Sequence, residues 1–312
     1  MNRFAIVLLC LLLCAFVVSE SLFTVPLHFP KPVYDLSKNV LTQEKILLGR
    51  ILFYEPALSK SNTISCESCH SPFSAFTHVD HKLSHGIHDS IGSRNSPALM
   101  NLAWQKSFMW DGAINNLDMQ ALAPISHPAE MGSSINAAIE RLNAIAKYRK
   151  LYYDAYGDST ATGERTLKAI SQFLVTLVSA NAKYDKVMRG EVVFTEKEAR
   201  GYYLFIRKCA SCHAEPLFTT GNIENNGLRG DLELKDIGRM KVTSNPNDSL
   251  KFKVPSLRNV EYSYPYMHDG RFEKLSEVLN HYSSGIQQSK TLAVELQSGI
   301  ELTANEKVDI IS

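Results

Sequence analysis

Apolar residues recur at helical spacing through much of the chain, whereas few stretches alternate in the manner of a β-strand. Amphipathic patterns predict helices over Thr42 to Phe53, Ser134 to Tyr148 and Glu164 to Ala180. Two capping boxes, Thr195-x-x-Glu198 and Thr303-x-x-Glu306, predict the starts of two more. The end of the sequence cuts the last of these helices short, so we expect its final turns to be missing. The pattern predicts an all-α protein with little β structure.

The N-terminus has a different pattern. Arg3 precedes an unbroken apolar run of 15 residues, Phe4 to Val18, which ends at Ser19. This run is shorter than the ~20 residues that a membrane-spanning helix needs, and its layout is typical of a secretory signal peptide. We therefore expect residues 1–19 to be removed and the mature protein to lie in the periplasm with no membrane span. Lipid attachment at Cys14 is the alternative, but Leu13 stands where a small residue would be expected.

Composition narrows the class of protein. The 312 residues include 33 basic and 32 acidic side chains, 45% are hydrophobic and 21% are charged. Such a length suggests two domains, each large enough to bury its own core. A formal charge of +1 gives no electrostatic reason to expect a nucleic-acid partner.

Four cysteines lie outside the predicted signal peptide, and they form two C-x-x-C pairs. A histidine directly follows each pair, in Cys66-Glu67-Ser68-Cys69-His70 and Cys209-Ala210-Ser211-Cys212-His213. This is the attachment signature of c-type haem, in which both thiols bind the haem and the histidine ligates its iron. Two disulfides or a four-cysteine zinc site would leave both histidines unexplained. The motifs predict two covalently bound haem c groups.

The two halves of the chain contain a repeat. Pro97 is followed 12 residues later by Met109-Trp110-Asp111-Gly112, and Pro255 is followed at the same distance by Met267-His268-Asp269-Gly270. A leucine stands at the matching position beyond each motif, and the spacing has no gaps. We interpret this as an old duplication in which each half builds one haem pocket. The predicted domains are residues 20–185 and 186–312.

The repeat also distinguishes the two haem pockets. Tyr282 lies fourteen residues after His268, and Pro124 stands at the matching position of the first half. Tyrosine can bind iron and proline cannot, so the first haem is predicted to be open and the second closed. Gln120 has Val278 as its counterpart, which places a polar amide in the first half only. A core aromatic on an amphipathic helix is the alternative for Tyr282.

Together these motifs give a sequence that resembles the bacterial dihaem cytochrome c peroxidases, including relatives of the dihaem enzyme that matures tryptophan tryptophylquinone. The resemblance covers nearly the whole mature chain and rests on a series of segments in the same order: Cys66 to Pro72, Arg94 to Pro97, Trp110 to Gly112, Gln120 to Pro124, Glu130-Met131, Cys209 to His213, Val254 to Asn259 and Pro265 to Gly270. It implies two helical cytochrome c-like domains. The N-terminal domain would hold the peroxidatic haem, and the C-terminal domain would hold the haem that receives electrons.

The resemblance also assigns catalytic residues. Glu130 and Gln120 match the distal polar pair over the peroxidatic haem, and Trp110 matches the aromatic residue between the haems. Cleavage of peroxide needs a proton to move from one oxygen to the other, which a carboxylate beside an open iron can perform. A surface carboxylate, a capping amide and a packing indole are the alternatives for these residues.

Further expectations concern metal ligands. Asn95 and the backbone carbonyls of Ser263 and Pro265 match the ligands of a calcium ion in the family, and such oxygen donors suit calcium. Some family members place a removable histidine on the peroxidatic iron, and His85 fits that role best among the histidines of residues 76–92. A solvated, mobile histidine-rich loop is the slightly favoured alternative. Ala113 replaces the family's usual arginine, so a cationic contact is expected to be missing there.

The sequence leaves three functions open. The first is a periplasmic peroxidase that reduces hydrogen peroxide to water with electrons from a small cytochrome c or cupredoxin. The second is a dihaem oxidase that modifies a protein or organic substrate, which Tyr282 in place of the family's usual methionine favours. The third is a non-catalytic electron-transfer cytochrome. The resemblance allows a homodimer in each case.

Overall fold

The computed structural model describes residues 21–312, so the predicted signal peptide lies outside the described residues. The described chain is mainly helical and has one antiparallel sheet of two short strands, in which Ile223 faces Lys253. The helices are α1 Gln43–Phe53, α2 Leu117–Gln120, α3 Leu122–Ser126, α4 Ile135–Ala144, α5 Ala146–Tyr156, α6 Gly163–Val175, α7 Lys183–Met188, α8 Glu196–Lys208, α9 Met240–Thr243, α10 Leu275–Asn280 and α11 Ala304–Ile311, and the strands are β1 Ile223–Glu224 and β2 Phe252–Lys253. The predicted all-α class is confirmed.

The N-terminal half, residues 21–185, is organised around the crossing of α1 and α6. Leu48, Leu52 and Phe53 of α1 are almost fully buried in this core. Gly49 lets the two helices approach closely, because a Cβ atom there would lie 1.8 Å from the carbonyl oxygen of Ala169. The N–H of Cys66 donates to the carbonyl of Phe53, the last residue of α1, over 3.1 Å, so this crossing fixes where the first haem motif begins.

The C-terminal half, residues 186–312, uses the same arrangement with α8 and α11. A Cβ atom at Gly201 would lie 1.9 Å from the carbonyl oxygen of Asp309. The carboxylate of Asp309 accepts a hydrogen bond of 2.9 Å from Arg200 beside this contact. Both helices begin at the predicted capping boxes of Thr195 and Thr303. Helix α8 ends at Lys208, and its C-cap Cys209 is the first residue of the second haem motif.

Two predicted helices end differently in the structure. The helix predicted over residues 134–148 is wrong as a single element, because Ile145 is extended and separates α4 from α5. The side chain of Asn143 bonds both backbone groups of Ala161, which ties the end of α4 to the following loop. Helix α6 stops at Val175 instead of continuing to residue 180, because the carbonyl of Leu177 accepts from the backbone of Asn101.

The predicted repeat is present in the backbone. Met109 and Met267 both have positive φ, at 68° and 74°, and each begins a tight turn that ends at a glycine with φ of 64°. Antiparallel bridges close both turns, between Phe108 and Ile114 and between Tyr266 and Phe272. The two turns therefore present Trp110 and His268 in equivalent ways.

The halves meet along a seam of reciprocal hydrogen bonds. The backbone N–H of Asn95 donates to the carbonyl of His268 over 2.7 Å, and the N–H of Lys253 donates to the carbonyl of Trp110 over 2.6 Å. Asn95 and Lys253 occupy matching positions of the repeat, as do Trp110 and His268. The seam thus has approximate twofold symmetry, and it places both repeat turns between the halves.

A buried ion pair connects the halves at a second point. Both oxygens of Asp185 accept from Arg258, over 2.8 and 3.0 Å, and one also lies 2.6 Å from the Nε2 atom of His28. Although burial opposes ionisation, the bonds from Arg258 and His28 hold the pKa of Asp185 below its usual range. The carboxylate is fully buried, so its charge depends on these partners.

In residues 21–312 the helices are all too short or too polar to cross a membrane.

We predict that Asp185→Asn destabilises the protein by about 3–5 kcal/mol, because it leaves the buried Arg258 guanidinium without a counter-charge. Denaturant unfolding of the haem-loaded protein measures this, and Asp154→Asn is the control, since its pair with Lys150 lies on the surface. Equal unfolding midpoints for the two variants would contradict a structural role for the buried pair.

Candidate active site

Both haem motifs place their side chains in the same way. The four thiols are free, and the Nδ1 atoms of His70 and His213 lie 2.9 Å from the carbonyl of Phe76 and 3.1 Å from that of Phe218. A proton on Nδ1 directed at a carbonyl leaves Nε2 unprotonated, which is the form that ligates iron. Burial lowers the pKa of His70 to about 4 and also lowers that of His213. Both imidazoles are therefore neutral and oriented as iron ligands, and the donor set fits haem c.

The first motif opens into a cavity. Apolar side chains of α1 and α6 form one part of its wall, including Phe53 and Ile170. The polar and haem-binding part of the wall contains Cys66, Cys69, His70, His85, Gln120 and Glu130. Pro124 also lines the cavity. The structure thus brings together every residue that the sequence assigned to the first haem, apart from Trp110.

Glu130 is held at this cavity by a neighbouring loop. The N–H of Ile87 donates to the carbonyl of Glu130 over 2.8 Å, and a Cβ atom at Gly86 would lie 2.1 Å from the carbonyl oxygen of Ala129. Burial raises the pKa of the Glu130 carboxyl, while the imidazole of His127 lowers it from 3.6 Å away. A raised pKa makes the carboxyl a better proton acceptor and keeps it closer to the pH at which acid–base catalysis operates.

The histidine-rich loop is not solvated along its whole length, contrary to the favoured interpretation of the sequence. Gly86 and Ile87 are buried against the Glu130 segment, and His85 is half-buried at the cavity. The thiol of Cys69 donates to the carbonyl of His85 over 3.3 Å. The ring centroids of His81 and His85 are 4.1 Å apart. The loop is packed at His85 because Gly86 permits close contact with residues 129–130.

Gln120 turns its amide toward the repeat turn of its own half. Its Nε2 atom lies 3.7 Å from the sulfur of Met109, within the range of a weak hydrogen bond. In the second half, Asn226 places its Nδ2 atom 3.6 Å from the sulfur of Met267. An amide thus faces the equivalent methionine in each half, but it comes from a different element in the second.

Tyr282 lies next to the second haem motif. It follows α10 within a π-helical turn, His281–Gly285, and it is half-buried. Burial raises the pKa of Tyr282 to about 12, although a hydrogen bond from Asn226 lowers it. The thiols of Cys209 and Cys212 lie close enough to raise this pKa as well. The structure therefore places this hydroxyl at the second haem site, as a ligand of that haem would require.

Trp110 lies at the seam between the halves. Its indole N–H donates to the carbonyl of Asn95 over 2.8 Å, and its own carbonyl accepts from Lys253 of the other half. These two bonds fix both the ring and the backbone. An indole held in this way is positioned to lie between two haems.

The predicted calcium ligands surround the same seam. Asn95 is buried, and its Nδ2 atom donates to the carbonyl of Lys82 over 3.0 Å, which leaves its oxygen free to face another group. The carbonyls of Ser263 and Pro265 belong to the segment before the second repeat turn. Within residues 21–312, no cluster of three or more His, Cys, Asp and Glu side chains could hold a metal ion. A calcium site made of one amide and two carbonyls stays a prediction.

Arg94 supplies part of the positive charge that Ala113 cannot provide in the first half. In the second half, Arg271 pairs with Asp269 of its own turn. In the first half, Arg94 takes that role and donates to Asp111 over 2.7 Å, while it also binds Asp236 of the other half over 2.6 and 2.9 Å. This pairing was not predicted, because residues distant along the chain form it.

Two further features of the site were not predicted. Asn226 contacts Tyr282, but it lies in a loop without a recognisable motif. The ring of His268 stacks on that of Phe252, with ring centroids 3.7 Å apart. The guanidinium of Arg94 also lies over the Phe252 ring, 5.6 Å from its centroid. The matching positions of the repeat could have indicated the second feature, since Phe252 corresponds to Arg94 and His268 to Trp110.

Two helical units with paired haem-attachment motifs, joined along a pseudo-symmetric seam, define a dihaem c-type cytochrome. Comparison with known proteins agrees, since the family model of the di-haem cytochrome c peroxidases matches residues 43–193. The chain belongs to this family. Membership implies two haem c groups, held by the thiols and imidazoles described above.

Relatives and solved structures support this membership. The methylamine utilization protein MauG of Methylorubrum extorquens is 35% identical over 91% of this chain and 80% of its own length. The cytochrome c551 peroxidase of Nitrosomonas europaea is 35% identical over 74% of this chain and 70% of its own. The crystal structure of a MauG-like protein associated with microbial copper homeostasis matches with a TM-score of 0.82 and 30% identity, covering 93% of each chain.

We predict that Tyr282→Phe changes the absorption spectrum of the second haem, because it removes an oxygen that lies beside Cys209 and Cys212. Cyanide binding at the first haem should persist, since Tyr282 belongs to the other site. Optical spectra and cyanide titration measure both effects. Tyr203→Phe is the control, as Tyr203 is exposed on α8. An unchanged spectrum of Tyr282→Phe would show that Tyr282 only packs beside the second haem.

Proposed function

We propose that this protein is a periplasmic peroxidase that reduces hydrogen peroxide to water with electrons from a small redox protein. The observation that carries the proposal is the position of Glu130. Its half-buried carboxyl and the amide of Gln120 line the same cavity as His70, and Pro124 stands there instead of an iron-binding side chain. This arrangement supports an open iron face with an acid–base group beside it.

Haem c, when bound, supplies the iron that binds peroxide and carries electrons between the two sites. Glu130 then takes the proton from one peroxide oxygen and delivers it to the other, which makes water the leaving group. Gln120 orients the peroxide by hydrogen bonding and transfers no proton. Two electrons and two protons complete the reduction of one hydrogen peroxide to two water molecules.

The path for electrons follows the seam. A small cytochrome c or cupredoxin delivers electrons to the second haem, and Trp110 bridges the gap to the first. The bonds of Trp110 to Asn95 and Lys253 support this role, because they hold the indole still between the halves. A calcium ion on Asn95, Ser263 and Pro265 would hold the same segments together.

A second candidate function is the oxidation of a protein or organic substrate, which the environment of Tyr282 favours. A tyrosine oxygen on the second haem would stabilise ferric iron and lower that haem's potential. Such a site is less suited to accept electrons from a typical donor. Relatives of similar identity include proteins named for methylamine utilization and proteins named as peroxidases.

Steady-state turnover separates these functions. A reduced small cytochrome c is mixed with hydrogen peroxide and the haem-loaded protein, and its oxidation is followed optically. Sustained turnover supports the peroxidase, whereas peroxide-dependent spectral change of the protein without turnover favours the second candidate. A protein whose first haem binds neither cyanide nor peroxide would contradict both and indicate a simple electron carrier.

We predict that Glu130→Gln lowers peroxide turnover by about 10²- to 10⁴-fold, because it removes the titratable proton while keeping size and hydrogen bonding. In the parent protein, kcat/KM should fall as the pH falls through the pKa of Glu130. Since burial raises that pKa, the fall should begin above the ordinary range of a glutamate, ~4.3. Glu130→Gln should lose this pH dependence.

Two variants serve as controls for this measurement. Glu140→Gln makes the same substitution on the exposed face of α4 and should leave turnover unchanged. Gln120→Leu should have a smaller effect than Glu130→Gln, since an amide orients peroxide but carries no proton. Parent-like turnover by Glu130→Gln, with both haems present, would show that another group moves the proton.

A further inference from the structure

Lys253 is a half-buried cation that neither the fold nor the proposed reaction explains. It is the last residue of β2, and its backbone N–H forms one of the two reciprocal bonds of the seam, to Trp110. Its side chain crosses to the N-terminal half, where the ammonium donates to the Oε1 atom of Gln105. Gln105 is neutral, so this bond pairs one N–H of the ammonium but does not compensate its positive charge.

The other buried cations of the seam are paired. Arg94 has the carboxylates of Asp111 and Asp236, and Arg258 has that of Asp185. Lys253 has no carboxylate within 4.0 Å among the residues that the structure describes. Removing a charge from water without a partner is costly. Burial alone accordingly lowers the pKa of Lys253 to about 8.

The surroundings of Lys253 are dense, yet the residue keeps accessible surface. Its fractional exposure is intermediate, whereas both neighbours, Phe252 and Val254, are buried. Part of Lys253 therefore stays accessible to another group.

The position of Lys253 relative to the haem sites identifies that group. The neighbour of Lys253, Val254, accepts at its carbonyl from the hydroxyl of Thr219 over 2.6 Å, and its N–H donates to the carbonyl of Asn222. Thr219 follows Phe218, whose carbonyl faces the Nδ1 atom of His213. Lys253 thus begins beside the second haem motif, and its ammonium reaches Gln105 of the first half.

We propose that the ammonium of Lys253, with the amide of Gln105 beside it, binds a carboxylate substituent of haem at the seam between the halves. Each haem carries two carboxylates, and these are the anions that haem bound at the two motifs would add to the protein. The carboxylate belongs to one of the two haems, and titration of each haem distinguishes them. The inference depends on the two haems alone, so it is independent of the proposed peroxidase function.

This pairing sets a haem potential. A carboxylate near the iron favours the ferric state, and the ammonium offsets that effect while the two are paired. Loss of the ammonium leaves the carboxylate uncompensated in surroundings that screen it poorly. The haem that supplies the carboxylate should then be harder to reduce.

Potentiometric titration of the haem-loaded protein tests the proposal, with each haem followed through its own absorption bands. For Lys253→Met we expect the reduction equilibrium of one haem to fall about tenfold, a shift of about 59 mV for one electron. The haem whose midpoint falls is the source of the carboxylate. Lys253→Arg keeps the charge and should restore the parent midpoint. Lys106→Met removes an exposed lysine next to Gln105 and should change neither haem.

Parent midpoints for both haems in Lys253→Met, with both haems attached by mass spectrometry, would overturn the proposal. An equal shift in Lys106→Met would also overturn it, since a general loss of positive charge would then explain the result. If Lys253→Met fails to incorporate haem, Lys253→Gln is titrated instead, because it keeps a hydrogen bond to Gln105 while removing the charge. The midpoints of the two haems in Lys253→Gln then support or overturn the proposal in the same way.

Discussion

The reciprocal hydrogen bonds between Asn95 and His268 and between Lys253 and Trp110 are the contacts on which the rest of the site depends. They fix the two repeat turns against each other across the seam, so each half completes the surroundings of its partner. Trp110 acquires its position between the haem sites from this seam alone. A single half would present the same turn to solvent, with an unpaired backbone group and no partner for the indole to bridge.

The same scaffold occurs twice but carries two different sites. Glycines at positions 49 and 201 permit the same helix crossing in each half, and each histidine of the haem motifs directs Nδ1 at a carbonyl. The differences lie in other side chains, since Pro124 lines the first cavity and Tyr282 lies beside the second motif. A few residues on a common framework therefore distinguish the two sites.

Acid–base chemistry at the first site depends on burial that the loop of residues 76–92 provides. Gly86 and Ile87 hold the backbone of Glu130 at the cavity, and that burial raises the pKa of its carboxyl. The sequence predicted Glu130 by its place in a series of motifs, but it favoured a solvated loop for these histidines. The packing was missed because it depends on one glycine meeting a chain segment more than forty residues away.

The sequence alone determined the haem motifs, the capped helices and the repeat, because covalent attachment, helix capping and turn formation each depend on residues close together in the chain. It also predicted Gln120 and Tyr282 from their spacing to the repeat turns, and Glu130 from the family resemblance, and the structure places Gln120 and Glu130 at one cavity and Tyr282 beside the second motif. Only the tertiary structure decided the break at Ile145, the pairing of Arg94 and the burial of Lys253. Each of these depends on contacts between distant segments, and desolvation and charge pairing have no signature in local sequence.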